Sequence, residues 1–253
     1  MNLDLHVHAA LSKALGFELT FIREMIAGAR ANGLDTIAFT EHGGTRNFDE
    51  IIPTLDYTLA YIDPHYRAGD LRILPGIEVG SAEGPHLVAV GNRTAIRTFH
   101  ARLLQLIEAG TGVPVRTFFA HQAGLELVSI LAHPLRPGRE LERIDPDLIG
   151  QFDALELNAR DLYVLGDAIE ADTVALGRVT GLPVFAGSDS HQRYQLGSVT
   201  NLMDNDVTSI TDLKARIRAG AVTRHIHPDL NTKVAMAREA KDRIKSRLHV
   251  HVG

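Results

Sequence analysis

Residues 2–8 read Asn2-Leu3-Asp4-Leu5-His6-Val7-His8, and the fold is decided there. The apolar run over 3–7 predicts a short buried strand. Side chains two apart on a strand project to one face, so His6 and His8 form a His-x-His pair at the end of that strand. Further runs rich in Leu, Ile, Val or Phe predict strands at 36–40, 72–78, 86–91, 128–132, 153–157 and 183–187. Amphipathic stretches separate them. Phe21, Ile22, Met25, Ile26 and Ala29 share a helical face before Gly33, and Ile210, Leu213 and Ile217 do so before Gly220. Strands alternating with helices mean parallel βα units. Seven of them predict a distorted TIM-like (β/α)7 barrel, a single domain over 1–253. Segment 111–126 is less regular. Residues 231–248 predict an exposed helix that packs outside the barrel or against another subunit, so an oligomer is compatible with the sequence.

The bulk composition fits this picture. The chain has 253 residues, enough for a sizeable core, and is 45% apolar and 23% charged. No apolar run approaches the roughly 20 residues of a membrane helix. The opening residues do not read as a secretory signal, and the expected location is the cytoplasm. There is no cysteine, so a metal would be held by nitrogen and oxygen. The net charge of −5 argues against a general nucleic-acid binder, which usually needs a basic face. It leaves room for a phosphate substrate, because metal ions supply local positive charge. Thirteen histidines are a surplus whose positions matter more than their number.

Those positions are the ends of the predicted strands. The first ends in His6-Val7-His8, the second in Thr40-Glu41-His42 and the third in Gly76-Ile77-Glu78. The fourth begins at His86, the fifth ends in Ala132-His133-Pro134, and the last ends in Ser188-Asp189-Ser190-His191. Side chains at the C-terminal ends of parallel barrel strands converge on one mouth, where barrel enzymes place their chemistry. His86 starts its strand and needs a different connection to reach that mouth. One histidine at a strand end is ordinarily a surface or hydrogen-bonded residue. Six histidines and two carboxylates at consecutive strand ends instead make a ligand set for Zn²⁺, Mn²⁺ or Fe²⁺.

With these elements in this order, the chain resembles the polymerase-and-histidinol-phosphatase (PHP) domain family over essentially its whole length. The resemblance implies a distorted seven-stranded barrel holding two to three divalent metal ions (Zn, Mn or Fe). It implies that His6, His8, Glu78 and Asp189 hold the first ion. Glu78, His86 and His133 would hold the second, with Glu78 bridging, and His42 and His191 would contribute to a third. Glu78 and Asp189 become the central catalytic carboxylates. The family commonly has Ser-Asp-Gly after the His-x-His pair, with that Asp on the third metal. Here the register reads Ser12-Lys13-Ala14. An ammonium cannot ligate a cation, so the third position is expected to be weak and Lys13 to bind phosphate as a fixed charge. The second element reads Thr-Glu-His where Thr-Asp-His is commoner, and Glu41 is expected to matter little.

The resemblance also supplies the activity: a metal-dependent phosphoric ester hydrolase acting on a small phosphorylated substrate, monoester or diester. Nucleic acid enters only as a nucleotide-type substrate, and no membrane partner is expected. Two alternatives are an amidohydrolase-like enzyme cleaving a C–N bond and a non-catalytic metal-binding scaffold. Arg136, Arg160 and Arg193 follow strand ends and are candidates to grip phosphate, as is Arg46. His65, His100, His121, His225, His227, His249 and His251 are set aside as ligands, His100 as an exposed helical residue. Glu156 is read equally as a buried hydrogen-bonding residue or as a support to the metal ligands.

Overall fold

The computed structural model describes residues 1–11, 16, 18–139, 141–204 and 206–249. In chain order the strands are β1 (Asn2–Val7), β2 (Thr36–Phe39), β3 (Ala60–Ile62), β4 (His65–Ala68), β5 (Leu71–Gly80), β6 (His86–Gly91), β7 (Leu127–Ala132), β8 (Ala154–Asn158), β9 (Val184–Gly187), β10 (Val199–Leu202) and β11 (Thr223–Ile226). The α-helices are α1 (Leu19–Ala31), α2 (Arg46–Thr58), α3 (Arg93–Ala109), α4 (Val115–Gln122), α5 (Pro146–Ile149), α6 (Ala159–Leu165), α7 (Ala168–Thr180), α8 (Ile210–Arg218) and α9 (Leu230–His249). None of these helices is long and apolar enough to cross a membrane.

The fold is mixed α/β, with a barrel-shaped sheet in the order β11-β10-β1-β2-β5-β6-β7-β8-β9. The seven strands expected from sequence are β1, β2 and β5 to β9. The short β3–β4 hairpin, which pairs on to β5, and the β10–β11 pair, which adds antiparallel to β1, were not expected. Closure occurs at one end. A parallel bridge joins Val7 to Ser190; the Asp189 amide donates to the His6 carbonyl, and the His8 amide to the Ser190 carbonyl, both at 2.9 Å. The backbone that seals the barrel is therefore the backbone that carries four candidate ligands.

Uniformly parallel units were expected, and β6 departs from them. It pairs antiparallel with both β5 and β7. The link from β5 to β6 is a short turn, Ser81 to Pro85, with no room for a crossover helix. Reversal puts the first residue of β6 at the same mouth as the last residues of its neighbours. That is how His86 reaches the others.

A continuous cluster of Leu3, Leu5, Ala38, Leu74, Val88, Val90, Val128, Ile130, Ala154 and Phe185 fills the barrel interior. Ile210, Leu213 and Ile217 of α8 join it and plug the end away from the mouth. Leu3 and Leu5 are one residue out of phase with His6 and His8, yet all four face inward. A register shift between Asp4 and Val7 on the β1–β2 edge reconciles them. Asp4 Oδ1 accepts from the amides of His6 (3.1 Å) and Ser188 (3.2 Å), satisfying donors at the irregularity. Outside the sheet, Leu230 and Val234 of α9 pack against Leu157, Leu162, Ile169, Ala186 and Val199. The C-terminal helix thus lies on the barrel.

Candidate metal centre

Glu78 is the hub of the mouth. It sits on β5, is fully buried, and its two oxygens serve different histidines. Oε1 lies 2.5 Å from His86 Nδ1, 3.4 Å from His133 Nε2 and 3.5 Å from His6 Nε2. Oε2 lies 2.6 Å from His42 Nδ1 and 3.6 Å from His8 Nε2. Asp189 Oδ1 lies 3.1 Å from His8 Nε2, 3.8 Å from His6 Nε2 and 3.6 Å from His191 Nδ1. The donor atoms fall into three groups, each within 4.8 Å: Glu78, His86 and His133; His6, His8 and Asp189; His8, His42 and His191. All eight residues singled out as ligands are brought together. His8 belongs to two groups, so the third holds three imidazoles where two were expected.

The donors fit divalent cations on observations independent of sequence. Nε2 of His6, both ring nitrogens of His8 and Nδ1 of His133 are buried with no hydrogen-bond partner. Orphaned buried polar atoms are costly unless something else satisfies them. The field points the same way. Burial would lower the His8 pKa, but Asp189 and Glu41 raise it to about 9. Burial would raise the Glu78 carboxyl, but His86, His133, His42 and His6 hold it well below the usual range. The carboxylates therefore draw positive charge onto His6 and His8, as they would onto a bound cation, while burial pushes His133 down to about 4 and His191 well below its usual range.

A second layer fixes the rings. Glu156 Oε1 lies 2.6 Å from His6 Nδ1, leaving Nε2 aimed at Glu78, while Oε2 accepts from the His133 amide at 2.9 Å. One carboxylate on β8 so holds a ring on β1 and the backbone just after β7. It fits only because residue 187 is glycine: a Cβ there would stand 1.8 Å from Glu156 Oε1. Glu41, expected to matter little, is a buried node. It accepts from the amides of Ala9 (3.1 Å), Ala10 (2.9 Å) and His42 (3.1 Å), with His8 Nδ1 3.6 Å away. His133 and Asp189 have φ of 36° and 53°, the positive-φ non-glycine residues among those described. Such strain gathers at functional sites.

The arginines divide. Arg136 is mostly buried, donating from Nε to Asp161 at 2.8 Å and from both terminal nitrogens to Asp189 Oδ2 at 3.3 Å. Arg160 lines a cleft beside Asp189 and His191. Arg193 does not line it; its guanidinium is exposed and donates to the Tyr194 hydroxyl at 3.1 Å. Arg46 is likewise exposed and paired with Glu50 at 2.9 Å. Lys13 lies outside the described residues. Arg139, not singled out in the sequence, sits in the field of Glu78, Asp189 and Arg160, with burial first and then Arg136 lowering its pKa. Among the histidines set aside, His225 lies on β11 and His227 just after it, and neither belongs to a ligand group. His100 is buried, not exposed: its Nε2 lies 3.0 Å from the Gly43 carbonyl, and its ring packs on Phe48. Helix α3 turns that face toward the loop carrying His42.

A barrel-shaped α/β sheet with a buried nest of histidines and carboxylates at one mouth makes a candidate metal centre. A family model described as PHP-associated matches residues 175–222. Among curated proteins, none matches in sequence. Among solved structures, PsfC from Pseudomonas syringae PB-5123 is similar with a TM-score of 0.78 at 20% identity, over 96% of this chain and 98% of that one. The lesion-specific endonuclease PfuEndoQ from Pyrococcus furiosus is similar with a TM-score of 0.68 at 19% identity, over 88% of this chain. An Endonuclease Q complex with a 27-mer duplex carrying an abasic lesion gives 0.64 at 19% identity, over 89%. The chain spans 57% and 58% of those two endonuclease chains. At these identities the likeness is one of fold.

Proposed function

We propose that this protein is a metal-dependent hydrolase of a small phosphate ester. The observation that carries the reading is Glu78, one buried carboxylate whose two oxygens each face a separate set of imidazoles. Glu78, His86 and His133 would hold one divalent ion and His6, His8 and Asp189 a second, with Glu78 between them. His8, His42 and His191 would form a third, weaker position, since neutral imidazoles alone do not offset a divalent charge. When bound, the ions supply Lewis acidity at phosphorus and bring the pKa of water to about 7.

The chain's own residues supply the rest. Glu156 fixes the tautomer and aim of His6. Arg136, clamped between Asp161 and Asp189, holds the Asp189 carboxylate in place. Arg160 and Arg139 put positive charge beside the mouth, where a phosphate oxygen would lie. Lys13 is proposed to act with them as a further fixed charge on the phosphate.

A small ester is favoured over a nucleic acid by the net charge of −5. The similarity to endonucleases covers little more than half of their length. The test is a screen of aryl monophosphates, aryl phosphodiesters, esters and amides with added Zn²⁺, Mn²⁺ or Fe²⁺. Phosphate release that chelator abolishes is expected, with Lys13→Ala raising KM. Amide cleavage without phosphate release would favour the C–N hydrolase. Tight metal binding without any turnover would favour a scaffold.

A further inference from the structure

A cleft of about 310 Å³ runs from Asp189 and His191 along the inner face of α9. Three cationic side chains line it, Arg160 from α6 and Arg238 and Lys241 from α9, against two acids, Asp242 and the candidate ligand Asp189 at its inner end. Neither Arg160 nor Arg238 forms an ion pair among the described residues; the Arg238 guanidinium lies 5.5 Å from the Tyr163 ring centroid. Gln192 also lines the cleft. It is 5% exposed, and its Nε2, a donor, is buried with no partner. Unpaired guanidinium groups and an orphaned amide donor share one need, an anionic acceptor.

The other side of the mouth is different. A cleft of about 360 Å³ leaves His42 and Glu78 between Thr45, Ser81 and Gly112, and among the described residues no lysine or arginine lines it. A substrate laid across the metal centre would therefore meet a neutral wall on one side and a cationic one on the other.

We propose that the α9 cleft binds a second anionic group, a carboxylate or a phosphate, on the part of the substrate that is not hydrolysed. The preferred substrate is then a phosphate ester with an anion at each end. The C-terminal helix, which lies outside the barrel in sequence and in space, sets that preference. This rests on the phosphoesterase reading for its substrate but not for its binding test.

Three probes with one four-carbon chain separate the cases: butyl phosphate, 4-phosphooxybutanoate and butane-1,4-diol bisphosphate. With the metal-reconstituted full chain, kcat/KM should be at least tenfold higher for the two dianionic-ended probes than for butyl phosphate. The carboxylate and bisphosphate arms tell which anion is preferred. Arg238→Gln and Lys241→Gln, each checked for an unchanged melting temperature, should each shrink that ratio several-fold. Calorimetry with butane-1,4-diol bisphosphate should show the same loss of affinity in both variants, whether or not any probe is turned over. Equal kcat/KM for all three probes in the parent protein would overturn the anion site and leave the phosphoesterase intact. No turnover of any probe, together with anion binding that both variants weaken, would overturn the phosphoesterase reading and leave the anion site. Calorimetric affinity unchanged in both variants would overturn the anion site in either event.

Discussion

Glu78 and Asp153 are both fully buried carboxylates, held at opposite ends of the barrel. Asp153 precedes β8 at the end plugged by α8. It accepts from the Ser129 amide at 2.8 Å and the Ser129 hydroxyl at 3.2 Å, and pairs with Arg218 Nε at 2.5 Å and Lys214 Nζ at 3.3 Å. Permanent cations and fixed donors satisfy that charge. Glu78 has no lysine or arginine partner among the described residues, only imidazoles whose own charge depends on protons. A buried charge with permanent partners holds a structure together; one left to titratable partners is poised for an exchangeable cation. The two ends thus use the same desolvation cost for different purposes.

The sharpest test of that contrast swaps each carboxylate for its amide. Glu78→Gln should cut turnover on the order of a thousandfold or more, because one carboxylate serves both proposed ion positions. Asp153→Asn should leave turnover per folded molecule near that of the parent while costing about 1–3 kcal/mol of stability, by weakening the buried bonds from Ser129 and losing the half-exposed pairs to Arg218 and Lys214. Denaturant titration beside steady-state kinetics reads both. If Asp153→Asn lost activity without losing stability, the division between the two ends would fail.

A smaller effect is expected one layer out. Glu156→Gln should weaken metal affinity about 10–100-fold, measured by competition with a chromophoric chelator, because the second partner of His6 no longer fixes its ring. Gly187→Ala should do the same without touching any ligand, since its Cβ displaces the Glu156 carboxylate. A Gly187→Ala protein with parental metal affinity would show that Glu156 does not position the site.

The smallest effect concerns pH. Burial raises Asp4, despite its bonds from Ser188 and His6, from 3.8 to about 7. Between those values the folded chain keeps a proton that the unfolded chain has lost. In the chelated protein Asp4 therefore contributes stability that is lost as pH rises through that window. Asp4→Asn keeps an acceptor for both amides and cannot ionise, so its stability should fall less steeply over the same range. Parallel stability–pH curves for the two proteins would remove Asp4 as the source.

Strand-end chemistry was legible in the sequence because period-2 alternation and turn residues mark strand ends locally. His6, His8, His42, Glu78, His86, His133, Asp189 and His191 could be singled out from position alone. The residues that complete the site carry no such mark. Glu41 reads as an ordinary neighbour of His42, and its hold on Ala9 and Ala10 exists only when β1 lies beside β2. Arg139, Arg238 and Lys241 sit in polar stretches that suit any exposed surface.

What the sequence by itself determined is the seven core strands, the barrel class and the eight donors, because each follows from apolar periodicity and residue type within a few neighbours. Tertiary structure alone decided the reversal of β6 that brings in His86, and the approach of Glu156 across Gly187. It also decided the sharing of His8 between two donor groups and the cationic wall that α9 adds to the mouth. Those depend on distances between segments up to some hundred and eighty residues apart, as between His8 and His191, and no local pattern encodes such a distance.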